Sequence, residues 1–122
     1  MPLVLIVDDS PTEQHVFCKA LGRKGYDTVV ANDGEEALSL AEKVKPDVIV
    51  MDVVMPGMNG FQATRQLSKN PATADIPVVI VSGKGQETDR IWGLRQGAAQ
   101  YLVKPVESSE LVHAVEASLN NG

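Results

Sequence analysis

A single cysteine, Cys18, stands in the 122 residues, so no internal disulfide can staple this chain. Positive charge is in deficit: Lys plus Arg is 11 against 16 Asp plus Glu, a net charge of −5. Such a chain has no general attraction for a phosphate backbone or an anionic membrane. Long apolar runs are missing, and nothing approaches the ~20 uncharged residues of a membrane span. The run Leu3–Val7 stops at Asp8 and Asp9, and no basic segment precedes it, so it does not read as a signal peptide. There is no low-complexity tract, linker or solenoid repeat. A nucleic-acid groove binder, a secreted scaffold and a membrane protein are therefore poor readings, and a soluble cytoplasmic domain is expected. The length supports one domain, 1–122, with a real core and no room for an attached output domain.

What is present alternates between two periods. Leu3–Val7, Val48–Met51 and Val78–Val81 are short runs rich in Val and Ile. Runs that barely alternate suit strands buried on both faces. Tyr26–Ala31 and Tyr101–Val103 are weaker candidates, expected nearer an edge. Between them lie segments with helical spacing. Ser10 is a good N-cap, Pro11 suits the first helical position, and Glu13 completes a capping box. Val16, Phe17, Ala20 and Leu21 then share one face. Asn32 is read as the cap of a second helix, which ends before Pro46. Gly60–Leu67 leads into a third, closed at Asn70–Pro71. Glu87–Gln96 reads as a fourth, stopped by Gly97. Ser108 or Ser109 opens a fifth, which runs to the Asn120–Gly122 end. Strands alternating with helices imply a parallel sheet covered on both faces.

The polar residues gather at the strand ends. The first strand ends in Asp8 and Asp9, the third in Asp52, the fourth in Ser82, and the fifth runs into Lys104. Open α/β sheets place their ligands at this carboxyl edge. If the strand order is 2-1-3-4-5, these acids, the hydroxyl and the ammonium converge on one rim. At an effective dielectric of 20, two like charges ~4 Å apart cost about 4 kcal/mol. One lysine does not offset three acids. A hard divalent cation does, and oxygen-only ligands point to Mg²⁺. Such a rim suits phosphoryl chemistry, with one Asp as nucleophile and Lys104 and Ser82 orienting phosphoryl oxygens.

Together, Leu5–Ser10, Pro46–Gly60, Ile76–Ser82 and Gly97–Pro105 resemble the receiver domain of two-component response regulators, and the resemblance covers the whole chain. It implies a doubly wound (βα)5 flavodoxin-like α/β fold, with a five-stranded parallel sheet in order 2-1-3-4-5 and helices on both faces. It implies that Asp52 accepts a phosphoryl group from a histidine kinase or a histidine phosphotransfer protein. Asp9 and Asp52 are then ligands of Mg²⁺, for which Mn²⁺ can substitute. Asp8 helps through water, and the Val54 carbonyl adds a ligand. Lys104 pairs with the phosphoryl group. Ser82 turns toward it, gaining a partner it lacked, and this opens space for Tyr101 to pack. The face of the fourth helix, fifth strand and fifth helix then changes shape for a downstream protein. The chain is expected as a monomer or a weak, phosphorylation-promoted dimer. Lys104–Pro105 is expected to be cis, Pro105 and Gly60 being structural.

Some positions depart from the family's commonest pattern. Ser82 stands where Thr is more frequent, which keeps the hydroxyl. Val54, two after Asp52, cannot orient an attacking water. Gly83 and Lys84 lie where they can contact the phosphoryl group. Slow self-hydrolysis is expected. Gly60–Leu67 and Gln86–Gly97 also resemble the single-domain receivers of type IV pilus (twitching motility) systems, PilH-like proteins. Gly93, inside a helix, reads either as close packing or as a mobile helix presenting Trp92 to a partner. Three rival functions remain. A metal-dependent phosphatase with an aspartyl-phosphate needs a second acid at Val54. A nucleotide or flavin binder needs a glycine- or hydroxyl-rich loop where Asp8–Pro11 stands. A pseudo-receiver, a binding module that is never phosphorylated, does not need the set of Asp9, Asp52, Ser82 and Lys104. A phosphate sink or relay intermediate would use the same chemistry as a receiver.

Overall fold

The computed structural model describes residues 1–120. Its elements run β1 (Leu3–Val7), α1 (Pro11–Gly22), β2 (Asp27–Ala31), α2 (Gly34–Val44), β3 (Val48–Asp52), α3 (Gly60–Lys69), β4 (Val78–Ser82), α4 (Glu87–Arg95), β5 (Gln100–Val103) and α5 (Ser108–Asn120). The strands form one parallel sheet ordered β2-β1-β3-β4-β5. The two weaker sequence candidates are indeed its edges. Asn121 and Gly122, read as part of the last helix terminus, lie outside the described residues.

The alternation of each central strand divides the core in two. Leu5, Val7, Ile49, Met51, Val78 and Ile80 face α2 and α3, together with Ala37, Ala41, Ala63 and Leu67. Val4, Ile6, Val48, Val50, Val79 and Val81 face Phe17, Leu21, Leu111, Val112 and Val115 of α1 and α5. Both faces of β3 and β4 are fully buried, which is why those runs carry no polar alternation. Both strands reach one residue further than their apolar runs. Asp52 and Ser82 are thus their last residues, held by sheet pairing rather than by a loop.

Local details depart from the sequence reading in three places. Val16 is 48% exposed rather than part of the buried face of α1, which consists of Phe17, Ala20 and Leu21. The N-cap of α2 is Asp33, whose carboxylate accepts from the Glu36 N–H at 2.8 Å; Asn32 bonds Gln14 and Glu36 through its side chain instead. Ser10 does cap α1, but no reciprocal capping box forms there. The Ser10 N–H donates to Asp8 Oδ1 at 2.9 Å, and the Glu13 carboxylate turns elsewhere. A full capping box appears instead at α3, between Asn59 and Gln62.

Two glycines are required by close approach. A Cβ on Gly60 would fall on the Asp52 carbonyl oxygen and within 2.8 Å of Val53 Cα. Gly60 thus lets α3 start directly against the end of β3, with its N–H donated to the Val53 carbonyl at 2.9 Å. A Cβ on Gly93 would lie 2.8 Å from Tyr101 Cδ2 and 3.2 Å from Ile80 Cδ1. The packing reading of Gly93 therefore holds. Gly60→Ala is expected to destabilise the fold by about 2–4 kcal/mol, because backbone rather than a flexible side chain must yield. The urea unfolding midpoint measures this.

Candidate functional site

The carboxyl ends of β1, β3 and β4 and the residue after β5 meet at one rim. Asp8 is 1% exposed and Asp52 7%. Asp52 Oδ1 accepts from the Val53 N–H at 2.9 Å and from Lys104 Nζ at 3.3 Å. Lys104 reaches the rim because its own N–H continues the sheet, donating to the Ser82 carbonyl at 2.8 Å. The peptide bond that follows it, Lys104–Pro105, is cis. The ammonium also lies 3.8 Å from Asp8 Oδ2 and 2.7 Å from Glu13 Oε2.

Asp8, Glu13 and Asp52 each offer a carboxylate oxygen, and these oxygens lie within 4.8 Å of one another. Glu13 is the member that sequence reasoning missed. Its acidic type and its place in the first helical turn fit a capping role, and nothing local in the sequence signals its reach to Lys104. Asp9 is exposed and outside this trio. The Val54 side chain is 66% exposed beside the rim, and Gly83 and Lys84 are exposed on the loop after β4.

Burial and like charge dominate the electrostatics. The Asp8 carboxyl is pushed up to about 7, chiefly by burial, with Glu13 and Asp52 adding to the shift and the Ser10 N–H opposing it. Burial also raises Asp52, against the pull of Lys104 and the Val53 N–H. Burial works against the Lys104 charge, but the Glu13 hydrogen bond and the charges of Asp52 and Asp8 outweigh it and hold the ammonium above its usual range. Asp8 Oδ2 is buried without a hydrogen-bond partner. An orphaned carboxylate oxygen costs free energy unless something positive completes it. The three carboxylates of Asp8, Glu13 and Asp52 together offer hard oxygen donors that fit a divalent cation of the Mg²⁺ type.

The second part of the rim lies over β4 and β5. Ser82 is fully buried, and its hydroxyl accepts from the Lys84 N–H at 3.0 Å. Tyr101 is 9% exposed, and its hydroxyl donates to the Lys84 carbonyl at 2.7 Å. Its phenol is raised by burial and by the charge of Asp89, against a hydrogen bond with Ser82. This corrects the expected starting point. Ser82 already has a partner, and Tyr101 is already packed against Gly93, because the loop turns its backbone back onto both hydroxyls. Trp92, Ile91 and Val103 stand exposed on α4 and β5. A surface groove of about 500 Å³ beside α3 contains none of these rim residues.

The arrangement has a clear family. The response regulator receiver domain family matches residues 4–116, and the chain belongs to it. The chain is 51% identical over 119 residues to Protein PilH of Pseudomonas aeruginosa, covering 98% of each. It is 38% identical to the DNA-binding transcriptional regulator RpaA of Synechocystis, where it spans 49% of that protein. Its backbone matches the chemotaxis protein CheY4 of Vibrio cholerae with TM-score 0.92 and 32% identity, covering 98% of this chain and 99% of that one. It also matches the receiver domain of a sensor histidine kinase from Pseudomonas aeruginosa, solved with magnesium coordinated in its active-site cleft. That match has TM-score 0.90 and 28% identity, and covers 98% of each chain. No helix of the described residues is long and apolar enough to cross a membrane.

The buried acids predict an inverse pH dependence for the metal-free protein. Asp8 is held above its ordinary value of 3.8, at about 7. Its stabilising contribution is complete below about pH 4 and is lost as pH rises toward 7. Asp8→Asn is therefore expected to be more stable than the unsubstituted protein by about 3 kcal/mol at pH 8, and the gap should close at pH 4. Urea unfolding in a chelator across this range tests it.

Proposed function

We propose that this receiver domain accepts a phosphoryl group on Asp52 from a histidine kinase or a histidine phosphotransfer protein in a Mg²⁺-dependent reaction, and that its output runs through a separate protein. The observation that carries this reading is the Asp52 carboxylate, with Lys104 at 3.3 Å and two further carboxylates around it. Oδ1 is engaged by Lys104 and the Val53 N–H, and Oδ2 makes no hydrogen bond among the described residues, which leaves it as the attacking atom. As the new O–P bond forms, the N–P bond of a phosphohistidine breaks, and its electron pair returns to the imidazole nitrogen. Lys104 and the backbone N–H groups of the loops that carry Val54 and Gly83 receive the charge of the transferring group. Asp9 and Asp52 would hold a Mg²⁺ ion, with Asp8 helping through water and the Val54 carbonyl adding a ligand, as the family implies, and the ion would supply positive charge toward the phosphoryl oxygens.

Phosphorylation adds roughly −1.5 to −2 charges and three acceptors. In this reading Ser82 exchanges the Lys84 N–H for a phosphoryl oxygen. The Lys84 loop then moves, and Tyr101, hydrogen-bonded to the same loop, moves with it. Trp92, Ile91 and Val103 lie on the α4-β5-α5 face that this rearranges, and Trp92 is the natural aromatic anchor for a partner. A coupling of about 1–3 kcal/mol changes partner affinity about 5- to 150-fold. The 51% identity to PilH supports a cytoplasmic receiver in type IV pilus or chemotaxis-like signalling.

Incubation with Mg²⁺ and acetyl phosphate is expected to yield one phosphoryl adduct by mass spectrometry, absent in Asp52→Asn and in excess chelator. No adduct on the unsubstituted protein would leave a pure binding module. Val54 offers no group to orient water, so the phosphoprotein is expected to survive for minutes; decay within seconds overturns that expectation.

A further inference from the structure

The cap of α1 leaves the Glu13 carboxylate free. Ser10 accepts from the Glu13 N–H at 3.3 Å, but the return bond is pre-empted because the Ser10 N–H donates to Asp8 Oδ1. The Glu13 side chain crosses instead to Lys104, at 2.7 Å. This is the closest of the three carboxylates around the ammonium: Asp52 lies at 3.3 Å and Asp8 at 3.8 Å. The bridge is also the most open of the three, with the Lys104 and Glu13 side chains 21% and 36% exposed. Ion pairs with this exposure are weak and easily exchanged.

Its position makes exchange necessary. The Glu13 oxygen lies within 4.8 Å of the Asp8 and Asp52 oxygens, so a phosphoryl group on Asp52 enters the space that Glu13 and Lys104 share. The incoming group is an anion and a strong acceptor. It repels Glu13 and needs the ammonium that Glu13 holds. We propose that Glu13 is the resting counter-ion of Lys104, a positioning residue that competes with the phosphoryl group for the ammonium and so sets the affinity of the site for phosphoryl anions. The inference rests on Asp52 being the phosphoacceptor.

Beryllofluoride, a phosphoryl mimic that bonds a carboxylate oxygen through beryllium, tests this by calorimetric titration at saturating Mg²⁺, with Mg²⁺ alone titrated separately. Glu13→Gln is expected to bind beryllofluoride about 3- to 10-fold more tightly than the unsubstituted protein. Glu13→Asp keeps the charge but is one methylene too short for the bridge, and is expected to tighten binding similarly. Unchanged affinity in Glu13→Gln overturns the proposal, as does unaltered affinity in Glu13→Asp, which would mean that charge alone acts. Parallel loss of Mg²⁺ and beryllofluoride affinity in Glu13→Gln overturns it too, because Glu13 would then be a metal ligand. If none of the three proteins forms a beryllofluoride complex, the phosphoacceptor reading falls, and this inference with it.

Discussion

A parallel sheet sends all its strands' carboxyl ends to one edge, and here three of those ends bring carboxylates or an ammonium to within ion-pair distance. Asp8, Asp52 and Lys104 are held there by strand pairing and by burial of the apolar residues behind them. The apolar core thus holds the acids in place against their mutual repulsion. One ammonium shared among three carboxylates leaves the balance negative, and burial, which raises the Asp8 and Asp52 carboxyls, leaves one Asp8 oxygen without a hydrogen-bond partner.

The same constraint shapes the surroundings. α3 has to begin against the backbone that carries Asp52, and only glycine permits the approach at position 60. On the other side, the loop after β4 offers its Lys84 N–H to Ser82 and its carbonyl to Tyr101. One residue's backbone therefore joins the buried hydroxyl near the acids to the aromatic beneath α4. Tyr101 fills the space left by Gly93, and the exposed Trp92 is the residue just before it on that helix. A disturbance at the rim has a short physical route to an exposed apolar surface.

The strands were legible because burial on both faces leaves an unbroken Val and Ile run with nothing to mistake it for. Their order came from the family resemblance, since periodicity carries no information about neighbours. Glu13 and Asn32 show where local reading fails. Both fit a capping pattern, yet Asp33 caps α2 in place of Asn32, Asp8 takes the Ser10 N–H in place of Glu13, and both side chains bond different partners. Val16 fails for a different reason: a helix face is as wide as the sheet it covers, and α1 buries only three residues deeply. Asp8 and Asp9 are adjacent acids in the sequence, and alternation at the strand end buries the first and exposes the second.

By itself the sequence determined the elements, their alternation, and the presence of acids, a hydroxyl and a lysine at the strand ends, because these follow from side-chain pattern and neighbours a few residues apart. Only the tertiary structure decided which acids share the ammonium, that Glu13 is among them, and that Tyr101 lies packed inward. Those outcomes depend on distances between residues as far apart as Glu13 and Lys104, which only the packed sheet and helices set.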